Sequence, residues 1–285
     1  MAGACCVLAG CQSPSRIARP PRDDPPNPII FATGFESETW LERWRLFHPP
    51  RHAVRVAGRD AFGFRPLIGA ALRVTIPAGE HAGLSELSLW LGPLLGAEPD
   101  EIYFRYSLRL SEDFSPVLAG KLPGLAGTYG RAGWGGRQSD GTNGWSARGM
   151  FLPIGPRGQD GIAIGSYCYH AQMDSTVGDA WIWPLARDQP LHRNRWYCIE
   201  QYVKLNTPGE NDGIIRGWID GQPAFEKSGI RFRDVPELRI ERVWFDVYHG
   251  GKLPAAHDYH LYFDEIVISR EPIGPVRSFT GHVAP

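Results

Sequence analysis

Period-two alternation, repeated along most of the chain, is the feature that most limits what this sequence can become. In EIYFRYSLRL at 101–110, Ile102, Phe104, Tyr106, Leu108 and Leu110 fall on one side of an extended backbone, and Tyr103, Arg105, Ser107 and Arg109 fall on the other. One face is core and the other meets water. The same pattern predicts strands over 71–76, 145–152, 162–170, 195–206, 214–219, 241–249 and 259–269, with Asp220-Gly221 as a tight-turn signal. The run LSLWLGPL at 87–94 fits a short helix or a strand equally well. With 34 Gly and 25 Pro in 285 residues and no long helical periods between the strands, pairing has to be largely non-local. The expected fold is all-β, a jelly-roll sandwich of two curved antiparallel sheets, in which a concave sheet offers a groove.

The N-terminus reads differently. Residues 1–11 are apolar and end in LAGC, which resembles a bacterial lipobox with Cys11 as the lipid-bearing residue, although a positively charged start is missing. Residues 12–28 are proline-rich and read as a flexible tether, so the packed domain is expected over 29–285. No apolar run is long enough to cross a bilayer as a helix. These features predict an exported chain, periplasmic, held at the outer membrane as a lipoprotein, or secreted; the chain is expected to be a monomer. Outside the leader the cysteines are Cys168 and Cys198, and the sequence leaves open whether they are bonded or free.

Lys and Arg number 30 against 31 Asp and Glu, so a net charge of -1 gives no bulk attraction to nucleic acid. Any polyanion has to be met by a local patch. The segment 120–150 holds the material for one: Ser146 and Arg148 share a strand face about 6–7 Å apart, and Tyr167 and Tyr169 in SYCYH share a face at the same spacing. Lys121 is expected at a strand end or loop. Lysine, arginine, serine and paired tyrosines suit β-elimination on a uronate sugar, in which a cation neutralises the carboxylate beside the acidic C5 proton and phenols move the protons. A phenol has a reference pKa near ~10, so cationic neighbours are needed to favour its charged form.

The strings GKLPG at 120–124, NGWSARGM at 143–150 and YCY at 167–169 together resemble the polysaccharide lyase family 14 pattern, and a more diffuse likeness runs from about Ile30 to Arg270. The resemblance implies a jelly-roll lyase acting on an acidic polysaccharide of alginate or glucuronan type. It implies Lys121, Ser146, Arg148, Tyr167 and Tyr169 as the catalytic set, with Ser146 in a positioning or proton-relay role, and neither cofactor nor metal. Arg131, Trp134, Arg137 and Gln138, in the intervening loop, either bind neighbouring uronates or decorate a surface. Arg105, Arg109 and Lys204 are further candidates for a carboxylate-binding track. His170 follows the tyrosine pair but alternation turns it away, and Asp246, Asp258 and Asp264 match no calcium loop. The competing function is a non-catalytic carbohydrate-binding jelly roll. A glycoside hydrolase fits less well, because the cluster has no carboxylate pair.

Overall fold

The computed structural model describes residues 28–60 and 64–276. The expected leader with Cys11, and the tether as far as residue 27, lie outside the described residues. Sixteen strands follow in chain order: β1 (Ile29–Thr33), β2 (Ala53–Val56), β3 (Ala71–Ile76), β4 (Ala82–Leu84), β5 (Ser88–Trp90), β6 (Glu101–Leu110), β7 (Gly120–Gly127) and β8 (Trp145–Pro153). The second half contributes β9 (Ile162–Tyr169), β10 (Asp179–Ile182), β11 (Trp196–Lys204), β12 (Gly213–Ile219), β13 (Gln222–Ile230), β14 (Arg242–Trp244), β15 (Val247–His249) and β16 (Tyr259–Ser269). Helix is confined to short pieces such as Trp40–Arg43, Leu91–Leu95 and Pro184–Asp188.

The strands form two antiparallel sheets. One runs β13-β12-β11-β6-β16-β3-β2 with β1 added on β16, and the other runs β10-β9-β8-β7-β14-β5 with β15 bridging β4 and β7. Between them lies one continuous core. Leu125, Trp145, Phe151, Ile164 and Val243 from the second sheet meet Phe104, Leu108, Ile199, Ile215 and Phe263 from the first. This is the all-β jelly roll that alternation predicts, and several boundaries coincide with the expected ones.

The differences have local causes. LSLWLGPL is both alternatives in succession, strand to Trp90 and helix from Leu91. The single strand expected over 241–249 breaks into β14 and β15 around Phe245 and Asp246. Lys121 takes the first of its two expected placements, as the second residue of β7, and GKLPGLAG is a full strand with a register shift between Leu122 and Gly124. That bulge absorbs Pro123, which has no N–H for the ladder. Gly124 is required there, since a Cβ would stand 2.4 Å from the Ala147 carbonyl oxygen. Cys168 and Cys198 are both free thiols, on strands of different sheets.

Candidate active site

Core residues alternate with outward ones on β7, β8, β9 and β14, so Lys121, Ser146, Arg148, Tyr167, Tyr169 and Trp244 all stand on the outer face of the second sheet. Register then decides who meets whom. Ser146 lies opposite Tyr169, Arg148 opposite Tyr167, and Lys121 opposite both Met150 and Tyr248. The result is a groove of about 630 Å³ lined by Lys121, Arg148, Tyr167, Tyr169, Trp244 and Asp246, with Tyr248 and Trp134 at its sides.

Arg148 is 4% exposed and its charge is met by Asp246, with Nη1 donating to Oδ2 at 2.7 Å. Its guanidinium carbon lies 5.7 Å from the Tyr167 ring centre and 4.6 Å from that of Trp244. Lys121 Nζ sits 4.6 Å from the Tyr167 ring and 5.3 Å from Tyr248. Burial, then the Arg148 charge, pushes the Lys121 ammonium down to about 8, with Asp246 opposing. The two tyrosine rings meet edge to face at 5.7 Å. The Gly178 amide donates to the Tyr167 hydroxyl at 3.0 Å. Burial, followed by the contact with Tyr167, raises the Tyr169 phenol well above its ordinary value, so it stays protonated. Burial and the Asp246 charge raise Tyr248 as well.

Ser146 plays a different part from the other four. It is fully buried, does not line the groove, and donates to the Gly133 carbonyl at 2.7 Å, which ties the 128–144 loop down. The next residue of that loop is Trp134. Removing the hydroxyl leaves a buried carbonyl unpaired, so Ser146→Ala should cost about 1–3 kcal/mol. Its kinetic effect is expected in KM, through a loosened Trp134, while kcat changes little. A large loss in kcat would instead place the hydroxyl in the chemistry.

The remaining candidates separate cleanly. Trp134 reaches the groove, whereas Arg137 is exposed and Gln138 donates to the Met173 carbonyl. Arg131 stacks on Tyr129. Arg105, Arg109 and Lys204 require correction as a substrate track: they stand on the outer face of the other sheet, across the whole core from Lys121. There Arg105 donates to the Gly274 carbonyl, Arg109 bonds Asn194 and lies over Phe64, and Lys204 is opposite Glu101. Alternation had assigned their face within the strand, but not which sheet carries the groove. His170 pairs with Asp179 at 2.9 Å. Asp246, Asp258 and Asp264 are also dispersed, bonding Arg148, the Ala78 amide and the Ile68 amide respectively. The acidic trio that the described residues do assemble is Glu36, in the loop after β1, with Asp264 and Glu265 of β16, whose ligand atoms lie within 4.8 Å of one another.

Trp244 and Tyr248 were not singled out as site residues by sequence reasoning, and Asp246 was weighed only as a calcium ligand. The signal was present: alternation in ERVWFDVYH places Arg242, Trp244, Asp246 and Tyr248 on one face.

One sheet of the jelly roll thus gathers lysine, arginine and paired tyrosines in a groove on its outer face. Residues 69–266 match the family model described as Polysaccharide lyase 14. The chain belongs to this family and is a lyase acting on polysaccharide. Among solved structures it is similar to the marine PL-14 alginate lyase from Aplysia kurodai, with 19% identity, a TM-score of 0.61, and coverage of 84% of this chain and 98% of that one. It is similar to alginate lyase vAL-1 from Chlorella virus, with 18% identity, TM-score 0.55 and coverage of 76% and 91%. It is also similar to the endo-beta-1,4-glucuronan lyase from the fungus Trichoderma reesei, with 14% identity, TM-score 0.54 and coverage of 84% and 94%. No curated protein matches the chain.

Proposed function

We propose that the chain cleaves a uronate polymer of alginate or glucuronan type by β-elimination in the Lys121–Arg148–Tyr167–Tyr169 groove. The observation that carries this reading is the placement of Tyr167 beside two cations, Lys121 and Arg148, with an amide donor on its oxygen. Lys121 neutralises the carboxylate and the charge that builds at C5, and Arg148, held by Asp246, supports it. The Tyr167 phenolate takes the C5 proton. As the C4–O bond breaks and the C4–C5 double bond forms, Tyr169 gives its proton to the departing oxygen. Proton transfer from Tyr167 to Tyr169 restores the starting state. An exported chain anchored through Cys11 suits a polymer too large to enter a cell.

The test is ultraviolet detection of unsaturated ends on a panel of alginate, glucuronan and related polymers across pH. Lys121 is charged below its pKa of about 8 and neutral above it, so kcat/KM should fall as pH rises through that region. Lys121→Arg keeps its charge and should move the alkaline limb upward. Polymer binding without unsaturated product at any pH would overturn the lyase chemistry and favour a carbohydrate-binding module.

A further inference from the structure

The alternation of cation and aromatic ring does not end at Arg148. On the same outer face, alternation along β14 places Arg242 two residues before Trp244, and register sets Arg242 opposite Trp90 on the edge strand β5. The Arg242 guanidinium carbon lies 4.6 Å from the Trp244 ring centre and 5.0 Å from that of Trp90. Trp244 is in turn 4.6 Å from the guanidinium of Arg148. A continuous ladder therefore leads from the Arg148–Tyr167 pair to the sheet edge: Arg148, Trp244, Arg242, Trp90. Arg148 on β8 and Arg242 on β14 are two strands apart, about 10 Å across the sheet, close to the span of two pyranose units.

Two features separate this end of the ladder from ordinary packing. Trp90 is 46% exposed, an unusual state for the largest apolar side chain. Arg242 is also placed unlike Arg148, whose charge is met by a carboxylate at 2.7 Å. The terminal nitrogens of Arg242 donate to hydroxyls, to Thr128 at 2.9 Å and Ser88 at 3.3 Å. The carboxylate beside it, Glu241, is 3.9 Å from Nε, and the same oxygen accepts from the Thr128 and Tyr129 amides at 3.0 Å each. A half-buried guanidinium whose terminal nitrogens donate to hydroxyls and whose ion pair with Glu241 is long at 3.9 Å, flanked by an exposed indole, is suited to a sugar acid: the ring stacks and the carboxylate is met by the cation.

We propose that Trp90, Arg242 and Trp244 form a second uronate subsite, in which Arg242 binds the carboxylate of a sugar beyond the cleavage point and Trp90 stacks on its ring, so that longer chains bind more tightly. This rests on the polyuronate reading above. Calorimetric titration of oligouronates of increasing length into the Tyr167→Phe variant measures it without turnover. Affinity should rise with length in that parent. Adding Trp90→Ala or Arg242→Gln should lower affinity for the long oligomers about tenfold and flatten the length dependence, with Trp90→Phe restoring most of it. The Arg242→Gln loss should vanish on carboxyl-reduced oligomers. Trp90 is a surface side chain, so its variants keep the test meaningful if Arg242→Gln folds poorly. Parent-like binding of long oligomers by Trp90→Ala overturns the subsite. If the unsubstituted chain binds polyuronates but forms no unsaturated ends, the lyase chemistry fails and the subsite stands; if the parent binds no polyuronate, both fail.

Discussion

Tyr167→Phe is expected to reduce kcat by about a thousandfold, within the range that a positioned acid–base group supplies, while KM moves less than threefold or so. The substitution removes one oxygen and keeps the ring. The ring on which Lys121 rests at 4.6 Å and the edge contact with Tyr169 at 5.7 Å survive in phenylalanine. What disappears is the base, together with the acceptor for the Gly178 amide, a loss of about 1 kcal/mol in stability. Steady-state kinetics on a polyuronate, beside a thermal melt, separate these effects. Near-parental turnover would remove Tyr167 from the chemistry, and a loss appearing only in KM would make it a binding residue. Tyr169→Phe differs in kind: its phenol is held protonated by burial, so its loss should be felt in leaving-group protonation and least with substrates carrying good leaving groups.

How much of this was legible in the sequence depended on what each inference required. WSARGM and SYCYH gave up their outward residues because face membership within one strand is a local property. That the two strands pair, with Arg148 opposite Tyr167, is a non-local fact, and the sequence offers no register signal across the eight residues between them. β7 was hard to read because Gly120, Pro123 and Gly124 are poor strand formers in isolation, and only the bulge and the close approach of Ala147 explain them. Arg105 and Arg109 obeyed alternation correctly and still failed as site residues, since no local pattern says which of two sheets bears the groove. Asp246 was weighed only against a calcium loop, because its partner Arg148 lies 98 residues away in the sequence.

That carboxylate provides the second large expectation. Asp246→Ala should destabilise the protein by about 3–5 kcal/mol, because it leaves Arg148, 4% exposed, as an uncompensated buried charge. For a chain of this size the loss corresponds to a melting temperature lower by roughly 10 °C. Activity should fall too, and Asp246→Asn, which preserves shape, shows why. Asp246 raises the Lys121 pKa against burial and the Arg148 charge, so without it the ammonium loses its proton more easily and the alkaline limb should move below its parental position near 8. An unchanged limb in a folded Asp246→Asn protein would show that Lys121 does not set it. Replacing both partners, Arg148→Met with Asp246→Leu, should recover most of the stability and none of the activity, which separates the cost of an orphaned charge from the loss of a working one. The carboxylate thus has a use in a groove for polyanions. Two cations within reach of the same tyrosine ring repel each other, and one internal anion lets Arg148 stay buried and Lys121 stay charged, leaving the Lys121 ammonium to meet the substrate's carboxylate.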